Sequence, residues 1–277
     1  MTPKISVVMP AYNRVDTISY SIESVLAQSL DDFELILVDD CSSDDTLLIM
    51  EAYARRDRRV RVLSNPANSR LSPIQWEPRN DGLRIARGQY ISYLDSDNCW
   101  RPGFLKTLVS ELDSAEDLQL VYCDSKNFYG SRLDFELVIA ADLRSLAAVG
   151  ANWTVFSCHL DRPEDLGAGC YIDTNEIMHR STVFSRLGYL WSTAHPNRER
   201  INSSQVVRRP YRRHNDLHLV ERIVAAFGIG AVRHVPIPLV HYYYDGAPRH
   251  TEDAERVRAV AAPATVGPRA GSLDLKL

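Results

Sequence analysis

An α/β protein with a mostly parallel, helix-flanked sheet is the fold class the residues predict, on three observations. Ile5 to Met9 and Phe33 to Asp39 are near-continuous apolar runs, as strands buried on both faces require. The segments after them place apolar residues at helical spacing, so strand and helix periods alternate. The chain has 277 residues, 45% hydrophobic and 25% charged, enough for one large domain or one with an appended subdomain.

Taken in order, Ile5 to Met9 predicts the first strand, and Asp16 to Ala27 a helix through Ile18, Ile22, Val25 and Leu26. Phe33 to Asp39 is the second strand. Asp44 can cap a helix carrying Leu47, Leu48, Met50 and Tyr53, and Val60 to Leu63 completes a βαβαβ unit. After an Asn, Ser and Pro loop from Ser64 to Pro78, a short helix over Asn80 to Arg87 ends at Gly88, read as its C-cap. Tyr90 to Leu94 is a fourth strand. Pro102 opens a helix with Phe104, Leu105, Leu108, Val109 and Leu112 on one face, and Leu118 to Tyr122 is a fifth strand. Beyond Tyr129 the pattern weakens. Asp142 to Val149 reads as a helix, Tyr171 to Met178 as a strand or buried segment, and Asp216 to Phe227 as an amphipathic helix. Ala231 to Tyr244 reads as strands interrupted by Pro236 and Pro238, and the Ala-, Pro- and Gly-rich tail beyond Gly246 is expected to fray.

Composition excludes several function classes. No run of 18 uncharged apolar residues occurs, and the N-terminus enters a strand without room for a signal peptide, so a cytoplasmic protein is expected. The net charge of −4 argues against a nucleic-acid partner. The five cysteines show neither CxxC nor zinc spacing and are expected to be reduced thiols. Among 13 glycines there is neither GxGxxG nor a phosphate-cradling loop, so any nucleotide site must use other chemistry.

Ligands of open parallel sheets bind beyond the carboxyl ends of the strands. Pro10, Tyr12 and Asn13 follow the first strand, Asp39 and Asp40 end the second, and Asp95, Ser96, Asp97 and Asn98 follow the fourth. Singly, each reads as a turn, cap or packing residue. Together they supply a ring to stack on a heterocycle, a carboxylate to accept from a ring N–H, and hard oxygens for Mg2+ or Mn2+.

The run Ile5 to Asn13, the run Phe33 to Ser42 and the stretch from Arg79-Asn80-Asp81-Gly82 to Leu94-Asp95-Ser96-Asp97-Asn98 resemble the N-terminal half of family-2 glycosyltransferases of the GT-A fold, with particular likeness to the spore-coat polysaccharide enzyme. The likeness is strong over residues 4 to 125 and weaker to about residue 245. It implies a metal-dependent, inverting transfer from a UDP- or dTDP-linked sugar to an acceptor hydroxyl. Tyr12 would stack on the base, Asp40 would hydrogen-bond it, and Asp97 would be the direct metal ligand, for Mg2+ or Mn2+. Donor contacts are implied for Pro10, Asn13, Asn80, Asp95 and Ser96, and for Arg79, with Arg70 competing for the diphosphate. Asp216, in His214-Asn215-Asp216-Leu217, matches the family's catalytic base; its bland reading is a carboxylate favoured by a helix N-terminus.

These expectations assign 1–125 to donor binding, 126–246 to the acceptor and base, and 247–277 to the tail. Eight arginines between Arg180 and Arg213 face one acid, Glu199; the segment reads either as a solvated loop or as a clamp on an anionic group. His179 and His241 read as structural or acceptor-lining, with His241 also weighed as a metal ligand. The partners expected are a nucleotide-sugar donor and a saccharide, glycoconjugate or small-molecule acceptor, with no membrane-spanning segment. A sugar nucleotidyltransferase and a non-catalytic nucleotide-sugar-binding module are the alternatives; Pro10 to Asn13 lacks the glycine-rich loop of the former.

Overall fold

The computed structural model describes residues 2–69, 78–130, 153–162, 172–187 and 215–245. The chain divides into two compact units, Met1–Asn127 with Val155–Tyr243, and Phe128–Thr154 with Tyr244–Leu277. The site lies in the first. The expected helix at 142–149 and the tail fall outside the described residues.

In chain order the elements are β1 (Ile5–Ala11), α1 (Ile18–Leu26), β2 (Phe33–Asp39), α2 (Thr46–Arg56), β3 (Val60–Ser64), α3 (Pro78–Ile85), β4 (Tyr90–Tyr93), β5 (Cys99–Trp100), α4 (Phe104–Ser114) and β6 (Leu120–Gly130). There follow β7 (Trp153–Phe156), a 3-10 turn at Thr174–Glu176, β8 (Ile177–Arg180), α5 (Val183–Leu187), α6 (Asn215–Phe227), a second 3-10 turn at Ile229–Ala231 and β9 (Val232–Asp245). The sheet runs β3-β2-β1-β4-β8-β6-β9-β5. Its first four strands are parallel. β8 lies antiparallel between β4 and β6, and β5 is antiparallel to β9, so the whole sheet is mixed.

Strand alternation sorts the apolar residues into two cores, one on each face. Ile5, Val7 and Met9 with Leu35 and Leu37 meet Ile18 and Ile22 of α1, Met50 of α2, and Phe104, Leu105 and Leu108 of α4. Val8, Ile36, Val38 and Ile91 meet Leu219, Val220 and Ile223 of α6 and Val183 of α5. Asp44, expected as a cap, accepts from the Thr46 amide at 3.0 Å and from the Val15 amide at 3.2 Å, tying α2 to the loop after β1.

Three expectations change. Gly88 is not a helix cap: α3 ends at Ile85, and a Cβ at Gly88 would sit 2.4 Å from the Ser6 amide nitrogen and 2.6 Å from the Ile5 carbonyl carbon. Its amide also donates to Ser6 Oγ at 2.8 Å, so the need is close backbone approach to β1. Gly88→Ala is therefore expected to destabilise the fold by about 2–4 kcal/mol, read from the urea midpoint; an unchanged midpoint would refute the packing account. Second, Pro236 and Pro238 do not interrupt β9. The neighbouring β5 pairs only with Val240 and His241, so on that side the two prolines oppose no ladder acceptor. Third, Cys41, Cys99 and Cys123 are free thiols as expected, but Cys158 is disulfide-bonded.

A charge network centred on buried Glu34 joins β1, β2, β3 and the segment after α3. Glu34 accepts from Ser6 Oγ at 2.8 Å, from Arg61 at 2.8 Å, and from the Arg87 amide and guanidinium at 2.8 Å each. Burial pushes its carboxyl upward, but the hydrogen bonds from Arg87, Arg61 and Ser6 outweigh this and hold it below the usual 4.5. A carboxyl with a depressed folded pKa stabilises above its unfolded value, and that contribution is lost as pH falls through the folded one. Thermal stability should thus drop on acidification below pH 4.5, and Glu34→Gln should flatten that part of the profile. A variant with the wild-type acid slope would show that other carboxylates dominate.

Candidate active site

The parallel strands β1, β2 and β4 end at one edge, where Ala11 is in register with Asp39 and the Asp40 amide donates to the Ala11 carbonyl at 2.8 Å. This places the residues after each strand side by side. Pro10 and Tyr12 are half-buried. Asn13 adopts the left-handed region with φ 51°, which asparagine tolerates better than most residues. Its amide donates to Ser42 Oγ at 3.0 Å and its Oδ1 accepts from the Ser43 amide at 2.8 Å, so it braces the turn after β2.

Asp39 and Asp40 are both buried but differently employed. Asp39 accepts from the Ser42 amide at 3.2 Å and from Ser64 Oγ at 3.2 Å, which secures the local turn. Asp40 is surrounded by donors from the loop after β3: Asn65 Nδ2 at 3.3 Å, Asn68 Nδ2 at 3.1 Å, the Ser69 amide at 3.0 Å and Ser69 Oγ at 2.6 Å. A carboxylate offers about four lone-pair positions, so an incoming ring N–H must replace one of these donors. Sequence reasoning missed Asn65, Asn68 and Ser69; the only signal was the Asn- and Ser-rich composition of their loop.

Beyond β4 the chain turns through Asp95 to Asn98, with the Asn98 amide on the Asp95 carbonyl at 3.2 Å. Arg79, from the first turn of α3, donates to Asp95 Oδ1 at 2.7 Å; Asn80 is buried beside it in the same helix. The competing Arg70 lies outside the described residues. Ser96 is buried and its carbonyl accepts from Thr17 Oγ1 at 2.8 Å. Asp97 keeps 37% of its side chain exposed and has Arg14 at 3.4 Å. Desolvation and the neighbouring Asp95 carboxylate push the Asp97 carboxyl up to about 6, against the pull of Arg14.

Asp97 is the half-exposed member of a crowded set of carboxylates, whereas Asp95 is already occupied by Arg79 and Asn175. Carboxylate oxygens are the hard donors that Mg2+ and Mn2+ favour. Among the described residues no group of three or more His, Cys, Asp or Glu could enclose a metal.

Asp216 is the second residue of α6, in its first turn. His179 is fully buried, accepts from Tyr93 Oη through Nε2 at 2.9 Å, and donates from Nδ1 to the Arg180 carbonyl at 2.8 Å. Burial pushes its pKa down to about 4, so it is neutral and structural. His241 is buried in β9, in register with Cys99. Of the arginine-rich segment, Arg180 caps α4, donating to the carbonyls of Leu112 at 2.7 Å, Ala115 at 3.0 Å and Leu118 at 2.7 Å. Arg186 lies over the Phe227 ring at 4.8 Å, and the other six fall outside the described residues.

Sequence reasoning also missed Asp173 and Asn175. Asp173-Thr174-Asn175-Glu176 has capping-box spacing, and both hydrogen bonds of the box form. The third residue of the box, Asn175, contacts Asp95.

Comparison with known proteins places this arrangement. The chain is 35% identical over 145 residues to the uncharacterized glycosyltransferase EpsJ of Bacillus subtilis, covering 52% of this chain and 40% of that one. It is 41% identical over 97 residues to the poly(ribitol-phosphate) beta-glucosyltransferase of Bacillus spizizenii, covering 34% and 15%. The chain thus spans less than half the length of these relatives. Its fold is similar to that of S. aureus TarS 1–349 in complex with UDP-GlcNAc, with TM-score 0.57, 18% identity, and 88% and 60% of the two chains covered. It is also similar to glucosyl-3-phosphoglycerate synthase from Mycobacterium tuberculosis in complex with Mn2+, UDP and glucosyl-3-phosphoglycerate, with TM-score 0.51, 23% identity and coverage of 93% and 78%. These likenesses bear out the expected GT-A type of fold. The model of glycosyl transferase family 2 matches residues 6–183, well over half of the sequence, and the chain belongs to that family.

Proposed function

We propose that the protein transfers a sugar from a UDP- or dTDP-linked donor to an acceptor hydroxyl with inversion, using Mg2+ or Mn2+. The observation that carries this reading is the meeting of Tyr12, buried Asp40 and half-exposed Asp97 at one carboxyl edge of the parallel strands. The UDP-GlcNAc bound to TarS and the Mn2+ and UDP bound to the mycobacterial synthase support the donor and metal classes.

In this reading Tyr12 stacks on the base and Asp40 accepts its ring N–H in exchange for a loop donor. Arg79 and Asp95 form the wall at the ribose and diphosphate, lined further by Pro10, Asn13, Asn80 and Ser96. Asp97 holds the metal. A bound Mg2+ or Mn2+ supplies Lewis-acid stabilisation of the charge on the departing diphosphate. Asp216 takes the acceptor proton as the acceptor oxygen bonds to the anomeric carbon, and the bond to the diphosphate oxygen breaks with its electron pair leaving on the diphosphate. Residues 1–125 serve the donor and 126–246 the acceptor. The acceptor class is a saccharide, glycoconjugate or small molecule, and the site of action is cytoplasmic; no described helix is long and apolar enough to cross a membrane.

A thermal-shift screen of nucleoside diphosphates and nucleotide sugars with and without Mn2+ tests the proposal, since a ligand of the native state raises the melting temperature. UDP or dTDP with Mn2+ at about 100 times its dissociation constant should add about 2.7 kcal/mol of stability. The absence of any shift with every nucleotide and metal would overturn the donor site.

A further inference from the structure

We infer that Asn175 is a positioning residue that sets the Asp95-Ser96-Asp97 turn for metal-dependent donor binding; this rests on the functional reading above. Asn175 is fully buried in the 3-10 turn that leads into β8, in contact with Asp95 after β4 and with Tyr242 of β9. Its Oδ1 accepts from the Asp95 amide at 2.5 Å, and its Nδ2 donates to Asp95 Oδ2 at 3.1 Å. One carboxamide thereby grips Asp95 by main chain and side chain together, fixing both the turn and the rotamer. The same Nδ2 faces Asp173 Oδ1 at 2.6 Å and Tyr242 Oη at 3.0 Å. Trp100 Nε1 closes the set by donating to the Asn175 carbonyl at 2.8 Å.

The chemistry calls for an amide at this position. Asp95 and Asp173 are both carboxylates, and the Asn175 amide group directed at them satisfies oxygens from each. A carboxylate at 175 would add a third negative group where donors are needed, and an alanine would leave the buried Asp95 amide without its acceptor. Asp97 hangs on the turn that Asn175 holds. Outer groups that orient metal ligands commonly carry 10- to 100-fold in metal affinity.

The test measures Mn2+ affinity, from the free-ion EPR signal, and UDP and dTDP affinity with Mn2+ by calorimetry. The proteins are the wild type, Asn175→Ala, Tyr242→Phe and Tyr93→Phe. Asn175→Ala is expected to weaken Mn2+-dependent nucleotide binding at least about tenfold, and Tyr242→Phe, which removes one outer leg, about threefold. Tyr93→Phe removes a hydroxyl that bonds buried His179; it should lower the melting temperature and leave both affinities within twofold. If Asn175→Ala gives no cooperative melt, Tyr242→Phe decides by the same comparison with Tyr93→Phe. Wild-type affinity in the clamp variants, or an equal loss in Tyr93→Phe, would overturn the inference while the donor site stands. Failure of the wild type to bind UDP or dTDP with Mn2+ would bring down both.

Discussion

Asp216→Asn is expected to lower turnover by about a thousandfold while leaving donor affinity within about twofold, because a positioned general base contributes 10²- to 10⁴-fold and acts on the acceptor. The substitution keeps size and hydrogen-bonding capacity but removes the group that can take a proton. In an inverting transfer the attacking oxygen must lose its proton as it bonds to the anomeric carbon, on the side opposite the leaving diphosphate. A carboxylate in the first turn of a helix is in general favoured by the helix N-terminus, and asparagine there forfeits that small electrostatic gain. The two contributions separate cleanly. Loss of a helix-end charge shifts the melting temperature slightly and leaves the rate alone, whereas loss of the base removes the rate and leaves the melt. Release of nucleoside diphosphate under saturating donor, beside calorimetric donor affinity, distinguishes them; turnover within tenfold of wild type would exclude Asp216 as the base.

Asp97→Ala is expected to abolish the part of donor affinity that depends on Mg2+ or Mn2+, a loss of at least about a hundredfold if the ion bridges protein and diphosphate. The variant should be no less stable than the wild type in the absence of ligand. Asp97 ionises with difficulty, its carboxyl raised to about 6 by desolvation and by Asp95. A carboxyl whose folded pKa is raised costs stability above that pKa, so at neutral pH its removal relieves a strain that Arg14, 3.4 Å away, and a backbone hydrogen bond offset in part. Function held at the expense of stability is a common signature of a working site. Asp95→Asn offers the contrast, since that carboxylate is clasped by Arg79 and Asn175 and its loss should lower stability. Calorimetric titration of UDP with and without Mn2+, together with thermal melts, reads both quantities. Undiminished metal-dependent binding in Asp97→Ala would move the ion elsewhere.

The carboxyl edge of the parallel strands was legible because its determinants are local. Phe33 to Asp39 announces a two-sided buried strand by composition alone, and the expected bounds are those observed. Asp40 and Asp97 could then be placed by the simple rule that parallel strands present their following residues to one crevice. What could not be read is what each residue touches across the chain. Ser69 meets Asp40 from 29 residues away, and Asn175 meets Asp95 from 80 away. Those meetings depend on where β3 and β8 enter the sheet, which no short-range periodicity encodes. Gly88 was misread for the same reason, since its demand comes from the backbone of β1 and its own neighbours give only a generic helix-stop signal.

The direction of β8 has a consequence for how such a chain can diversify. Because β8 runs against β4, its leading residues arrive at the carboxyl end of β4, and whatever chain precedes them is strung between that point and β6, the strand beside it. Within that excursion β7 pairs with β6, and the Thr174–Glu176 turn leads directly into β8. Lengthening a loop between two such fixed points costs about 0.6 kcal/mol of closure entropy for each doubling. The scaffold can therefore vary the length of chain ahead of the Asp173–Glu176 turn while that turn keeps its hold on Asp95 and the register of β1, β2 and β4 is inherited unchanged.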